Sequence, residues 1–182
     1  GFLVDAIVIH PGQWQTVEEE YNPSFSGRLH TPLHRVEPMP LNERKIVARR
    51  TYQEHFAGAV VNLGVGMADG VAAVAVEEGF VDQITLTVEQ GVIGGMPAKG
   101  VIFGVSYNPT AFVDQPYQFD FYDGGGLDIA VLGMAQADQR GNVNVSKFGP
   151  KLAGAGGFIN ISQNTRKVMF VGTFTAGHLK LT

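Results

Sequence analysis

An open, mostly parallel α/β sheet with flanking helices is the fold that residues 59–88 predict. Ala59 to Leu63 is continuously apolar, as expected of a strand buried on both faces. Gly64 and Gly66 then turn the chain sharply, and Ala68, Val71, Ala72 and Ala75 recur on one helical face before Gly79 ends it. Phe80 to Val88 is a second apolar, β-branched run that stops at Glu89. Strand, helix and strand in this order form a βαβ unit, whose strands lie parallel and whose crossover is right-handed.

The other elements follow along the chain. Phe2 to Ile9 reads as a short strand. Residues 11–41 hold Pro11, Pro23, Pro32, Pro38 and Pro40, with an acidic triplet at Glu18-Glu19-Glu20, and read as an irregular connection. Asn42 has the chemistry of an N-cap, and Glu43 in the first turn suits the helix dipole. The helix runs through ERKIVARRTYQEHF, with Ala48, Tyr52 and Phe56 on one face. Residues 90–127 are rich in Gly, Pro and aromatics and predict loops and short elements around a site. Leu127 to Met134 is a strand, and ADQRGNVNVS is a hairpin turning near Arg140-Gly141. GPKLAGAGG, residues 149–157, is a glycine-rich loop; Phe158 to Asn164 starts a short helix, and Lys167 to Thr173 is a strand.

Composition excludes several functions. The 182 residues carry a formal net charge of -4, against the basic footprint of a nucleic-acid binder. No apolar run nears the roughly 20 residues that span a bilayer. With no cysteine there is no disulfide, zinc-thiolate site or thiol nucleophile, which fits a cytoplasmic location. The opening GFLVDAIVIHPGQW has no basic segment typical of a secretory signal. Gly1 is no initiator, and both ends read as strand, so a piece of a longer chain is expected.

TVEQGVIGG, residues 87–95, admits three readings. In the first, the glycines make turns and Glu89 is a solvated strand end. In the second, Gly64-Val65-Gly66 is a dinucleotide turn and Glu89 a ribose ligand, although position 69 is Asp and the third glycine arrives late, at Gly70. In the third, Glu89 is a covalent nucleophile at the carboxyl end of a strand. The small residues Gly91, Gly94 and Gly95 would let a thioester approach, and the amides of NLGVG and GAGG would hold an oxyanion.

NLGVGMADGV, LTVEQGVIGG, GGGLDIAVLGMAQADQRGNVNVSKFG and GAGGFINIS together resemble the catalytic, glutamate-bearing half of the family I coenzyme A transferases. The nearest likeness is to the fused acetate and short-chain acyl-CoA transferases. Many members read Ser-Glu-Asn-Gly or Glu-His-Gly around the nucleophile, whereas this chain has Val88-Glu89-Gln90-Gly91. The resemblance implies an α/β fold of the CoA-transferase type, with residues 1–41 the end of a preceding half plus linker and 42–182 the catalytic domain, incomplete at its C-terminus. It implies ping-pong transfer of CoA between a short-chain acyl-CoA and a carboxylate such as acetate, propionate, butyrate or acetoacetate, through a glutamyl-CoA thioester on Glu89. CoA is then substrate, with no prosthetic group and no metal. The Val65 amide resembles the family's oxyanion donor, and Gly156 and Gly157 a second. The resemblance also implies that the GAGG loop lets the pantetheine pass close to the backbone, that Gly64, Gly66, Gly91 and Gly154 are among the CoA-binding residues, that Asn142 hydrogen-bonds CoA and that Lys147 meets a phosphate. Expected partners are the preceding N-terminal half and further copies of the chain in a homo-oligomer. An NAD(P)-binding oxidoreductase domain built on residues 64–70, and a non-catalytic CoA-binding module, are the alternatives.

Other candidates have plainer readings. His30 and His34 have the i, i+4 spacing of a metal pair, which Pro32 opposes by disfavouring a helix there. His55 and Arg49-Arg50 read as packing and a solvated helix face. Asp69 reads as a cap of its helix, and Trp14, Tyr21 and Phe25 as anchors of the linker.

Overall fold

The computed structural model describes residues 3–173. β1 (Val60–Leu63) opens the βαβ unit, and β2 (Thr85–Val88) lies parallel to it with Val61 opposite Leu86. α1 (Glu43–Tyr52) precedes β1, and α2 (Gly70–Glu77) joins the two strands. Past β2 the chain adds β3 (Val92–Ile93), β4 (Met96–Pro97), β5 (Ser106–Tyr107), β6 (Ala111–Phe112) and α3 (Gln115–Asp123). It then returns to the other side of β1 as β7 (Ile129–Gly133). β8 (Gln136–Ala137), β9 (Val143–Asn144), β10 (Lys147–Phe148) and β11 (Lys151–Leu152) follow, then α4 (Phe158–Gln163) and β12 (Lys167–Val171). The main sheet has the order β12-β7-β1-β2-β3-β6, parallel from β12 to β2 and antiparallel from β2 to β6.

Strand alternation sorts the two cores. Val61, Leu63, Ile129 and Val131 pack with Ala48 of α1 and Val71, Ala72 and Ala75 of α2. Val60, Ala130 and Leu132 face the opposite way, toward Tyr122 of α3 and Ile161 of α4. Small residues bring α1 and α2 close: a Cβ on Gly70 would lie 3.1 Å from the Ala48 Cβ. Asn42 caps α1, its Oδ1 accepting the Lys45 amide at 3.1 Å.

Several expectations need correction. Residues 3–9 form no strand and Ile7, Val8 and Ile9 are exposed; a strand needs a ladder partner, and none of the described residues pairs with this segment. Phe2 and the tail 174–182 lie outside the described residues. α1 stops at Tyr52 instead of reaching Phe56, and the His55 ring nitrogen meets the Thr51 and Tyr52 carbonyls at its end. The segment leading to β2 is a 3-10 turn, Val81–Gln83, and not strand. α3 stands within the stretch expected to hold loops and short elements, where the aromatics Tyr117, Phe119 and Phe121 show no helical period. Part of the glycine-rich loop pairs as β10–β11. Of the three aromatics in the connection, only Phe25 anchors, 4.8 Å edge-on from Tyr107; Trp14 and Tyr21 are exposed. Asn108 adds a second anchor, bonding both the amide and the carbonyl of Thr31 at 2.7 Å.

Candidate functional site

The sheet's topology marks the place. The chain leaves β1 toward β2 on one side and returns as β7 on the other, and ligands of open α/β sheets bind beyond the carboxyl ends of strands at such a reversal. A cleft of about 320 Å³ lies there. Its walls come from Gly64 and Val65 after β1, Glu89 after β2, Leu132 and Gly133 at the end of β7, and Gly156 and Gly157 before α4. Thus five of the residues singled out in the sequence, from three distant segments, meet around one hollow.

Glu89 is held by a tight turn. Gly91 donates its amide to the Val88 carbonyl at 3.0 Å, and Val88 pairs with Val92 across the hairpin. The loop needs glycine at 91, where φ is +102°. Burial pushes the Glu89 carboxyl above the ordinary glutamate range, and no hydrogen bond or cation among the described residues pulls it back. On the far side stands Gly157: a Cβ there would lie 2.7 Å from Glu89 Oε2 and 2.8 Å from Phe119 Cζ. The amides of Val65, Gly156 and Gly157 make no backbone hydrogen bond among the described residues, so they are free to face a ligand oxygen.

Not every expected residue joins the cleft. Gly66, with φ +98°, gives its carbonyl to Arg44 at 3.0 Å. Gly154 donates to the Ser146 carbonyl at 3.0 Å. Asn142 donates to Asp138 at 2.7 Å in the exposed β8–β9 turn, and Lys147 is exposed on β10. Gly91, Gly94 and Gly95 do not open a path for a thioester. Their missing side chains make room for protein, a Cβ on Gly91 lying 1.9 Å from the Val113 carbonyl and one on Gly95 2.0 Å from that of Tyr107. Asp69 makes no side-chain capping bond and stands 3.7 Å from Arg44. Arg49 and Arg50 pair with Glu78 and Glu54 on the surface. Leu33–Arg35, after Pro32, is a 3-10 turn, so His30 and His34 share no helix; no group of three metal-ligating side chains occurs among the described residues. No helix of these residues is long and apolar enough to cross a membrane.

One feature was missed. Beneath Glu89 the Tyr122 hydroxyl accepts from Gln118 Nε2 at 2.8 Å and Asn62 Nδ2 at 3.1 Å and donates to Thr87 Oγ1 at 2.9 Å. All four side chains are buried. Burial raises the Tyr122 phenol, and the charge of nearby Glu89 adds to this. The signal available in the sequence was Asn62, a polar residue inside the otherwise apolar VVNL.

No family model matches the chain. The caffeate CoA-transferase of Acetobacterium woodii is 50% identical over an alignment of 184 positions that covers 97% of this chain and 35% of that protein. The crystal structure of the acyl-CoA transferase YdiF of E. coli O157:H7, in a thioester complex with CoA, matches with a TM-score of 0.84 and 47% identity. That match covers 98% of this chain and 32% of the other, so the chain spans about a third of the length of these relatives. The probable coenzyme A transferase subunit beta of Bacillus subtilis (strain 168) is 31% identical over an alignment of 160 positions that covers 77% of this chain and 70% of that subunit. With that subunit matched over most of its length, and with the sheet of the YdiF enzyme, the chain belongs to the coenzyme A transferase family.

Proposed function

We propose that this chain is the nucleophile-bearing part of an enzyme that moves CoA between a short-chain acyl-CoA and a carboxylate acceptor. The observation that carries the reading is Glu89 itself: a partly buried carboxylate with a raised pKa and no hydrogen-bond partner among the described residues, at a strand's carboxyl end, in one cleft with Val65, Gly156 and Gly157, whose amides make no backbone hydrogen bond there. Such a carboxylate is weakly solvated and therefore reactive toward a carbonyl carbon.

The steps balance without proton transfer. A Glu89 carboxylate oxygen attacks the thioester carbonyl, and the C–S bond breaks to release CoA thiolate, leaving an acyl-glutamyl anhydride. The thiolate attacks the glutamyl carbonyl and expels the first carboxylate product, leaving glutamyl-CoA. An acceptor carboxylate, of the size of acetate, propionate, butyrate or acetoacetate, attacks this thioester and displaces the thiolate. The thiolate then attacks the acceptor's carbonyl, forming the new acyl-CoA and freeing Glu89. Each tetrahedral intermediate places an oxyanion where preorganised amides stabilise it, and Val65, Gly156 and Gly157 are the donors assigned. Asn142, Lys147 and Gly154 lie outside the cleft and would act on the distal part of CoA. In this reading the N-terminal half completes the cleft, the enzyme is a cytoplasmic homo-oligomer, and CoA is its substrate with no prosthetic group.

The test is mass spectrometry of the complete protein that contains this chain, mixed with acetyl-CoA and digested. CoA attached to the peptide holding Glu89 is expected, and Glu89→Ala is expected to lose both adduct and transfer while remaining folded. A folded Glu89→Ala variant with full transfer activity would end the proposal. Discharge of the adduct by caffeate but by none of the four short carboxylates would overturn the substrate class alone. NAD(P) binding without an adduct would favour the dinucleotide reading.

A further inference from the structure

We infer that Tyr122 is a positioning residue for Glu89: with Thr87, Asn62 and Gln118 it ties the carboxyl ends of β1 and β2 to α3 and so sets where the nucleophile stands. The inference rests on the reading of Glu89 as nucleophile. Thr87 is the third residue of β2 and faces α3, and Glu89 follows in the turn just past the strand, its Oε2 bordering the same Gly157 position as the Phe119 ring of α3. The network is the contact between this end of the sheet and the helix. Asn62 of β1 also reaches the Thr87 carbonyl, at 3.4 Å, and Thr87 Oγ1 donates to the Val61 carbonyl at 3.1 Å. Three segments are thereby locked within two residues of Glu89.

Proton accounting gives the network a direction. The one hydroxyl proton of Tyr122 goes to Thr87, and that of Thr87 goes to the β1 backbone. The two amide donors from Gln118 and Asn62 end on the Tyr122 oxygen. Neither hydroxyl proton is left over for Glu89. A hydroxyl donated to that carboxylate would favour its charged form and lower its basicity. The network therefore fixes the nucleophile's support while leaving the nucleophile itself unbonded.

A packing role alone does not explain these residue types. Valine at 87 or leucine at 62 would fill the same space with no polar atom to satisfy. The polar solution even leaves Asn62 Oδ1 buried and without a partner, a cost that calls for an explanation. A fully directional network restricts geometry more than apolar contacts do. Phe119 carries the link to the cleft. Its ring meets Tyr122 edge-on at 5.6 Å, and its far end borders the same Gly157 position as Glu89 Oε2.

The experiment compares Tyr122→Phe, Thr87→Val, Thr87→Ser and the double variant Tyr122→Phe/Thr87→Val in the complete protein. The readout is the rate of glutamyl-CoA formation from acetyl-CoA, by quenched-flow mass spectrometry, with thermal stability followed in parallel. At saturating acetyl-CoA, Tyr122→Phe and Thr87→Val are each expected to slow adduct formation about 10- to 100-fold, the range for a slightly misplaced reacting group, with KM unchanged. Thr87→Ser keeps the hydroxyl and should restore the rate. The double variant should be no slower than the slower single, because both break one network. Folded variants at the wild-type rate, or a double variant whose losses multiply, would overturn the inference. If Tyr122→Phe does not fold, Thr87→Val, which keeps the shape and loses the hydroxyl, decides by the same criteria, with Thr87→Ser as its rescue. A wild-type protein that forms no adduct at all would instead overturn the functional reading on which this rests.

Discussion

Glu89 and Gly157 face each other at the centre of the cleft, and each limits what the other position tolerates. Burial holds the Glu89 carboxyl above its ordinary pKa, so the folded state binds this proton more tightly than the unfolded chain does. The sign follows: the carboxylate costs stability at neutral pH, and the cost disappears as pH falls through the raised value to the ordinary range near 4.5 and below. Glu89→Gln is therefore expected to lose the adduct yet melt higher at pH 7.5, by roughly 1–3 °C, the shift a fraction of a kcal/mol gives at this size. Scanning calorimetry at pH 7.5 and pH 4 checks it, since the gain should be absent at the lower pH. Gly157→Ala puts a methyl 2.7 Å from the carboxylate and 2.8 Å from Phe119. It should cost about 1–3 kcal/mol of stability, the usual penalty of overpacking, and most of the adduct-forming rate. Wild-type kinetics in that variant would mean that Glu89 reacts from some other position.

The β2–β3 hairpin and α1 show how single elements depend on special residues. Gly91 combines φ of +102° with a Cβ position 1.9 Å from the Val113 carbonyl, so neither the backbone angle nor the space admits a side chain. Gly91→Ala is expected to destabilise the protein by about 3 kcal/mol or more, through strain and overpacking together. Denaturant unfolding measures this. An effect below about 1 kcal/mol would show that the hairpin relaxes freely. By contrast, Asn42→Ala removes one exposed-end hydrogen bond of α1 and should cost about 1 kcal/mol, with no change in adduct chemistry. The helix start was legible because an N-cap is a local device. α3 was not, since its aromatics alternate and its helical state depends on Tyr122 and Phe119 packing against the sheet. Asp114 before Pro116 was the overlooked start signal.

At the scale of the molecule, long-range polar links close the layers. Glu54 follows α1 and pairs with Lys167 of β12 as well as with Arg50, and hydrogen bonds from these two cations hold its carboxyl down at about 2. The contribution of this carboxylate is present above the ordinary glutamate range and is lost as pH falls from about 4.5 to about 2. Lys167→Met should raise the Glu54 pKa toward its ordinary value, readable by carboxyl-resolved NMR titration, and an unmoved titration would refute the pairing. Asn108 plays a similar closing role for the connection, holding Thr31 from 77 residues away. Asn108→Ala should leave the sheet intact and speed proteolysis within residues 22–36.

By itself the sequence determined the βαβ unit, the capped α1, the β8–β9 turn and the position of Glu89 at a strand end, because hydrophobic period, capping chemistry and turn residues act over a few neighbouring positions. The tertiary structure alone decided which distant backbone meets each site. It denied residues 3–9 a strand partner, filled the space beside Gly91, Gly94 and Gly95 with residues 107–114, and set Gly157 against Glu89. It also assembled Asn62, Thr87, Gln118 and Tyr122 into one buried network from three segments. Proximity between residues far apart in the chain is created by packing, and no local pattern encodes it.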